Sequence, residues 1–283
     1  MSRRLLATYR LQLHSDFTFA DAREIVDYLD DLGVTHLYLS PIVAAMPGSR
    51  HGYDVIDPTR INPELGGRKG LLDLAATAHE RGLRMVLDIV PNHLAASPDN
   101  PWWRELLRDG PDAPHARAFD VDWSGGRVLL PVLDRPLDDA IDAGIVTVSH
   151  DGVHVGDLRL PLRDDDAHGS VRDVLDRQHY ELIDWKEPRR NYRRFFDVDS
   201  LVGVREEDAG VFLDRHAVLL DLVHTGVADG LRVDHVDGMR DPHGYLETLR
   251  HHAGTDALIV VEKILTDDEA LPPDWPIDGT TGY

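Results

Sequence analysis

Residues 36–43 read HLYLSPIV, a short apolar run halted at Pro41. Its length and unbroken apolarity predict a strand buried on both faces, as in a parallel sheet. The pattern recurs on either side. Upstream, LLATYRLQL at 5–13 reads as a strand. It is followed by a helical pattern with Ile25, Val26, Leu29 and Leu32 on one face and Gly33 as the stop. Downstream, residues 44–66 are rich in Gly, Pro, Asn and Asp and read as a loop. A helix is expected over 68–81, closed by Gly82, and RMVLDIV at 84–90 is the next strand. This β-α-β-α-β order predicts a parallel sheet covered by helices.

The rhythm lapses over 94–204. There RVLLPVL, GIVTV and VHVGDLRL are short strand-like pieces between Asp, Pro and Gly clusters, which predict a small, mainly β insertion. From 205 the pattern resumes. A helix is expected over 206–225, a strand at GLRVDHV (230–236), a helix stopped by Gly254, a strand at ALIVVEKIL (257–265) and a loop-like tail. A complete (β/α)8 barrel takes about 250 residues, roughly 31 per unit. With 94–204 set aside, the remainder holds about five such units. The expected fold is therefore α/β, an incomplete (β/α)8 TIM barrel. Residues 1–93 and 205–283 form the barrel, and 94–204 form an insertion after the third strand. A five-strand doubly wound sheet is the alternative. However, Gln12-Leu13-His14-Ser15 stands where its Gly-rich phosphate turn would be.

Composition narrows the partners. The 283 residues carry 30 basic and 51 acidic side chains, a formal charge of −21. Nucleic acid and anionic membranes would be repelled. There is no cysteine, which excludes disulfides, zinc–thiolate sites and thiol catalysis. The opening MSRRLLATYRLQL is broken by Arg10 and Gln12, so no signal-peptide core is expected. No run approaches the roughly 20 apolar residues of a membrane span, and a cytoplasmic location is the expectation.

In parallel α/β folds, ligands bind at the carboxyl ends of the strands. Here those ends read Asp88-Ile-Val-Pro-Asn92-His93, Arg232-Val-Asp234-His235 and Val261-Glu262-Lys263. One acid in an apolar strand could be a paired structural group. Three in succession point to a site, because each costs several kcal/mol unless paired. Arg232 and Asp234 share a strand face, so charge pairing is expected to keep Asp234 ionised, as a nucleophile requires. Glu262 follows four apolar residues, and desolvation is expected to raise its pKa, as a general acid requires. Two carboxyls tuned apart suit retaining glycoside chemistry.

DIVPNH (88–93), GLRVDHVDG (230–238) and VVEKIL (260–265) resemble the first three sequence motifs of the alpha-amylase superfamily of glycosidases and transglycosidases. HGYDV (51–55) resembles the loop after that superfamily's second strand, and 94–204 its domain B. The resemblance implies that Asp234 is the nucleophile, Glu262 the general acid/base, and Arg232 the residue that orients Asp234. It implies that His93 hydrogen-bonds the sugar under attack, that Tyr53 stacks on it, with Asp54 in the same loop, and that Asp88 and Asn92 brace the rim. It implies neither a metal nor an organic cofactor.

Two departures refine it. Many hydrolases of the superfamily carry Lys-His three and four residues after the nucleophile, where this chain has Asp237 and Gly238. YRLQL (9–13), HGYDVIDPTRINPELGG (51–67), NYRRFFDV (191–198) and WPIDGTTGY (275–283) are similar to the trehalose-forming transglycosidases. Those enzymes move the reducing-end glucose of a maltooligosaccharide from an α-1,4 to an α,α-1,1 linkage. His235, Asp237 and Arg240 are candidates to hold the released glucose, and rim salt bridges would explain them equally well. The superfamily's fourth motif supplies a further Asp. Asp267, Asp268, Asp274 and Asp278 follow the fifth predicted strand directly and do not fit it, so the 283 residues read as an amino-terminal part with little turnover of its own. An α-glucan hydrolase and an inactive carbohydrate-binding segment are the competing readings.

Overall fold

The computed structural model describes residues 6–266 and 268–281; Asp267 and Tyr283 lie outside the described residues. The chain divides into two compact units, 1–92 with 206–283, and 93–205.

The first unit is built on a parallel sheet of six strands: β1 (Thr8–Leu11), β2 (His36–Leu39), β3 (Arg84–Ile89), β4 (Gly230–Val233), β5 (Leu258–Val261) and β6 (Gly279–Thr280). Each strand pairs in parallel with the next in chain order. That order never reverses, which is the winding of a barrel and not of a doubly wound sheet. The sheet is consistent with an incomplete TIM barrel. β6 corrects the reading of residues 266–283 as loop. A two-residue Gly-Thr strand carries no apolar run, so periodicity could not show it. It is held by Asp278 N–H donating to the Ile259 carbonyl and Thr281 N–H donating to that of Val261 (2.8 and 2.9 Å).

The crossover helices are α1 (Phe19–Glu24) and α2 (Val26–Asp31), α3 (Gly67–Glu80), α4 (Ala209–His224) and α5 (Pro242–Ala253). The single helix expected before Gly33 is broken at Ile25, whose φ of −98° and ψ of 3° leave the α region. Leu37, Leu39, Met85, Leu87, Leu231 and Ile259 are fully buried in the sheet, as are Leu71, Leu74, Leu222, Leu246 and Leu249 on the helices. The amino-terminal ends of the strands are pinned by Asp229. Its carboxylate accepts from Arg84 Nη1 (2.6 Å) and Met85 N–H (2.9 Å) and lies 3.1 Å from His79 Nε2.

The second unit contains an antiparallel sheet of 146–149, 152–155 and 158–160, a parallel pair of 128–133 with 180–184, and an antiparallel sheet of 93–95, 198–203 and 194–195. It also carries helices Pro101–Asp109, Leu137–Asp142 and Val171–Arg177, which the alternation of strand-like pieces did not reveal. Its core centres on Trp103, edge-on to Phe119 (5.2 Å) and Tyr192 (5.3 Å). Among the described residues, no helix is long and apolar enough to cross a membrane.

Asp229→Ala removes the carboxylate that ties the start of β4 to Arg84 and Met85 of β3 and to His79 of α3. It is expected to cost about 1–3 kcal/mol, measured as a lower urea midpoint at pH 7.

Candidate active site

Register sets the level of every group at the carboxyl rim of the first unit. Arg232 stands opposite Asp88 on β3, and Val233 stands opposite Val261 on β5. Asp234 and Glu262, one residue further on, therefore leave the sheet side by side. Their backbones are tied to the strands: Asp234 N–H donates to the Ile89 carbonyl (2.9 Å), and Glu262 N–H to that of Val233 (2.8 Å).

Arg232 is 4% exposed and meets three carboxylates. Nη1 donates to Asp88 Oδ1 (2.8 Å) and Asp234 Oδ1 (2.7 Å), and Nη2 lies 3.2 Å from Glu262 Oε2. Nε donates to Thr281 Oγ1 just beyond β6 (3.4 Å). On its other oxygen, Asp88 accepts the phenols of Tyr38 (2.9 Å) and Tyr53 (2.6 Å). Tyr53 in turn accepts from Arg10 Nη2 (3.2 Å), whose guanidinium carbon lies 5.5 Å from the Tyr38 ring centroid. One polar chain thus runs from Arg10 on β1 to Thr281 beyond β6.

The proton balance differs from the sequence expectation. Burial, then the neighbouring charge of Asp88, push the Asp234 carboxyl up to about 7 against the pull of Arg232. Burial also pushes Glu262 up. That push is outweighed by the His235 N–H donating to Oε2 (3.0 Å), by a hydrogen bond from Asp234 and by Arg232, so Glu262 lies below the usual carboxylate range. Of the two carboxyls, Asp234 is thus shifted toward the protonated form and Glu262 toward the charged form. The strand pattern could not show this, because Arg232 divides its charge among three acids instead of serving Asp234 alone. Asp88 is also raised, by burial, despite its three donors.

The remaining predicted residues separate into two groups. Tyr53 reaches the rim because Gly52 adopts φ +80°, and a Cβ there would stand 2.8 Å from the Pro41 carbonyl oxygen. His235 also adopts a left-handed backbone (φ 48°, ψ 50°). Its ring lies where a Gly238 Cβ would stand (2.2 Å), with the Asn92 amide 3.2 Å from the same point. Gly238 is thus required by packing against His235 and Asn92. Asp54 instead braces its own loop, accepting from Ser49 Oγ (2.5 Å). Asp237 is paired with Lys263 (3.2 Å), which also meets Glu269 (2.8 Å). Arg240 is 72% exposed at its side chain, 3.5 Å from Glu207. His93 begins the second unit, is buried, and packs on Phe195 at 4.3 Å.

Sequence reasoning missed Tyr38, Arg10, Thr281 and Lys263. A signal existed for two of them: Arg10 and Tyr38 are polar positions in otherwise apolar strands and are direct partners across β1 and β2. It also missed Arg215 of α4. This buried side chain donates to the Val90 carbonyl (2.5 Å) and pairs with buried Glu206 (3.3 Å), fixing the turn that leads to Asn92. Among the described residues, no three His, Asp or Glu side chains are grouped to hold a metal ion.

Residues 22–123 match the family model for the alpha amylase catalytic domain. The chain is 48% identical over 288 aligned positions to a Mycobacterium tuberculosis protein provisionally named maltooligosyl trehalose synthase, covering 99% of this chain and 37% of that protein. It is 45% identical to the solved maltooligosyltrehalose synthase of Arthrobacter ramosus, with a TM-score of 0.93 over 98% of this chain and 37% of the other. It is also 36% identical to an intracellular maltogenic amylase of Bacillus subtilis, over 38% of this chain and 18% of that protein. The chain therefore spans little more than a third of the length of the synthases it matches.

The raised Asp234 carboxyl makes a signed prediction. Its folded pKa of about 7 lies above the ordinary 3.8, so holding it in the fold becomes costlier as pH rises from about 4 to 7 and stays costly above. Asp234→Asn removes that cost. Its melting temperature should exceed that of the parent by roughly 2–8 °C at pH 8, and the gain should vanish near pH 4. Equal gains at both pH values in thermal melts would refute the raised Asp234 carboxyl.

Proposed function

We propose that this chain, which carries part of an alpha-amylase family catalytic domain, supplies the nucleophile and the acid/base of an intramolecular transglycosylation on maltooligosaccharides. The reading rests on one observation above the others. Asp234 and Glu262 converge on one buried guanidinium, in a segment that keeps 48% identity to a provisionally named synthase over 99% of its length. In the reaction, the proton stands on Glu262 and passes to the glycosidic oxygen as Asp234 attacks the anomeric carbon. The C–O bond breaks, and a glycosyl ester forms on Asp234. The released glucose turns and offers its anomeric hydroxyl. Glu262, now the base, takes that proton, and the α,α-1,1 bond replaces the ester.

The geometry prepares for this. Retaining pairs work at about 5–5.5 Å, and here both carboxyls are drawn to one guanidinium. A sugar entering between them would part them and leave the proton on the group facing the glycosidic oxygen. Arg232 then holds Asp234 as the leaving carboxylate. In this reading Asn92, Tyr53 and His235 line the subsite under attack, and unit 93–205 corresponds to domain B.

The test replaces the matching segment of the Mycobacterium tuberculosis relative with residues 1–283 and supplies maltopentaose. The expected result is loss of reducing ends without shortening of the chain. Asp234→Asn or Glu262→Gln should lower kcat by roughly 10²–10⁴. Shorter reducing sugars as the main product would instead establish an α-glucan hydrolase.

A further inference from the structure

The stretch YRLQL (9–13) places two polar side chains, Arg10 and Gln12, at alternate positions where the chain leaves β1. Both reach the loop that carries Tyr53. Gln12 Nε2 donates to the carbonyls of Arg50 (3.0 Å) and His51 (3.4 Å), and Arg50 Nη1 donates to Asp16 Oδ2 (2.7 Å). Gln12 Oε1 accepts from Arg10 Nη1 (2.8 Å), while Nη2 of the same guanidinium donates to the Tyr53 phenol oxygen (3.2 Å). A planar guanidinium serves two such acceptors at a fixed angle, which a lysine ammonium does not. Gln12 thereby fixes the guanidinium and the loop backbone in one frame.

These contacts set the direction of a proton. A guanidinium only donates, so a phenol oxygen that accepts from it turns its own hydrogen elsewhere. Here that hydrogen goes to Asp88 Oδ2 (2.6 Å). Tyr38 donates to the same oxygen (2.9 Å), and Arg232 Nη1 donates to Oδ1 (2.8 Å). All three bonds run toward Asp88 and favour its charged form, against the burial that favours the acid. A protonated Asp88 would need an acceptor for its own hydrogen. Tyr53 is the closer of its two phenols, and Arg10 already donates to that oxygen.

We propose that Arg10 is a positioning residue that acts through Tyr53: it commits the phenol proton to Asp88, so that Asp88 stays an acceptor for Arg232 and Arg232 stays divided between Asp88 and Asp234. The consequence for chemistry at Asp234 rests on the transglycosylation reading above, whereas the hydrogen-bond role does not. The charged and titratable groups that face Asp88, among the described residues, are Arg232, Tyr38, Tyr53 and Asp234. Those that face Asp234 are Asp88, Arg232, Glu262 and Tyr53. After burial, the charge on Asp88 is what pushes the Asp234 carboxyl up. Cutting the chain at Arg10 or at Tyr53 lets Asp88 take a proton more readily, and the push on Asp234 eases.

Thermal melts of the 283-residue chain test the role without any turnover. The quantity read is the rise in melting temperature that Asp234→Asn brings at pH 8, taken within each background so that a general loss of stability cancels. Arg10→Met and Tyr53→Phe should each reduce that rise by about half, and the two together should reduce it no further. Tyr53→Phe removes no charge at neutral pH, so agreement between the two single variants sets aside the mere loss of the Arg10 charge. Arg10 is exposed, and Arg10→Met is expected to fold. A rise left unchanged by Arg10→Met, or a second reduction in the double variant, overturns the role of Arg10 and leaves the transglycosylation reading as it stands.

Discussion

A single buried guanidinium facing three carboxylates is the constraint on which the first unit depends. Arg232 touches Asp88, Asp234 and Glu262 from one position on β4. Burying any of these charges alone would cost several kcal/mol, so the four groups are obligatory partners and the strands that carry them must keep their register. A one-residue slip of β4 would turn Arg232 to the other face of the sheet and leave Asp88 without its cation. The phenols of Tyr38 and Tyr53 complete the arrangement by filling the second oxygen of Asp88. Positioning of Asp234 is therefore a property of the whole sheet and not of the Arg-Val-Asp sequence alone.

The same stoichiometry governs the chemistry. Three acids against one cation leave an excess of negative charge, and burial shifts Asp234 and Asp88 toward their protonated forms. In the free site the His235 amide and Arg232 both favour Glu262 as the charged member.

How much of this was legible follows from what each feature depends on. The strand ends Asp88, Arg232, Asp234 and Glu262 were visible because acids in apolar runs are rare and their spacing matches known motifs. Their proximity followed from the parallel order. The direction of their pKa shifts was not legible, since it depends on how many carboxylates converge on Arg232 in three dimensions. β6 was hidden because two residues make no pattern. The break at Ile25 was hidden because apolar spacing continues across it. Tyr38 and Arg10 could have been noticed as polar intrusions in apolar strands, but only the register reveals what they serve. Asp54 illustrates the reverse case: its motif context suggested the rim, and a short bond to Ser49 turns it to its own loop.

Backbone strain marks what local rules leave unexplained. The described non-glycine residues with positive φ are Asp164, Phe196 and His235. At His235 the return is visible. The left-handed turn directly after Asp234 aims an amide N–H at Glu262, while Gly238 clears space for the imidazole ring. A right-handed residue there would carry the chain away and deprive Glu262 of a donor that favours its charged form. The cost is therefore tied to Glu262 through one hydrogen bond. A strained residue persists where its surroundings over-determine it and something gains from its conformation.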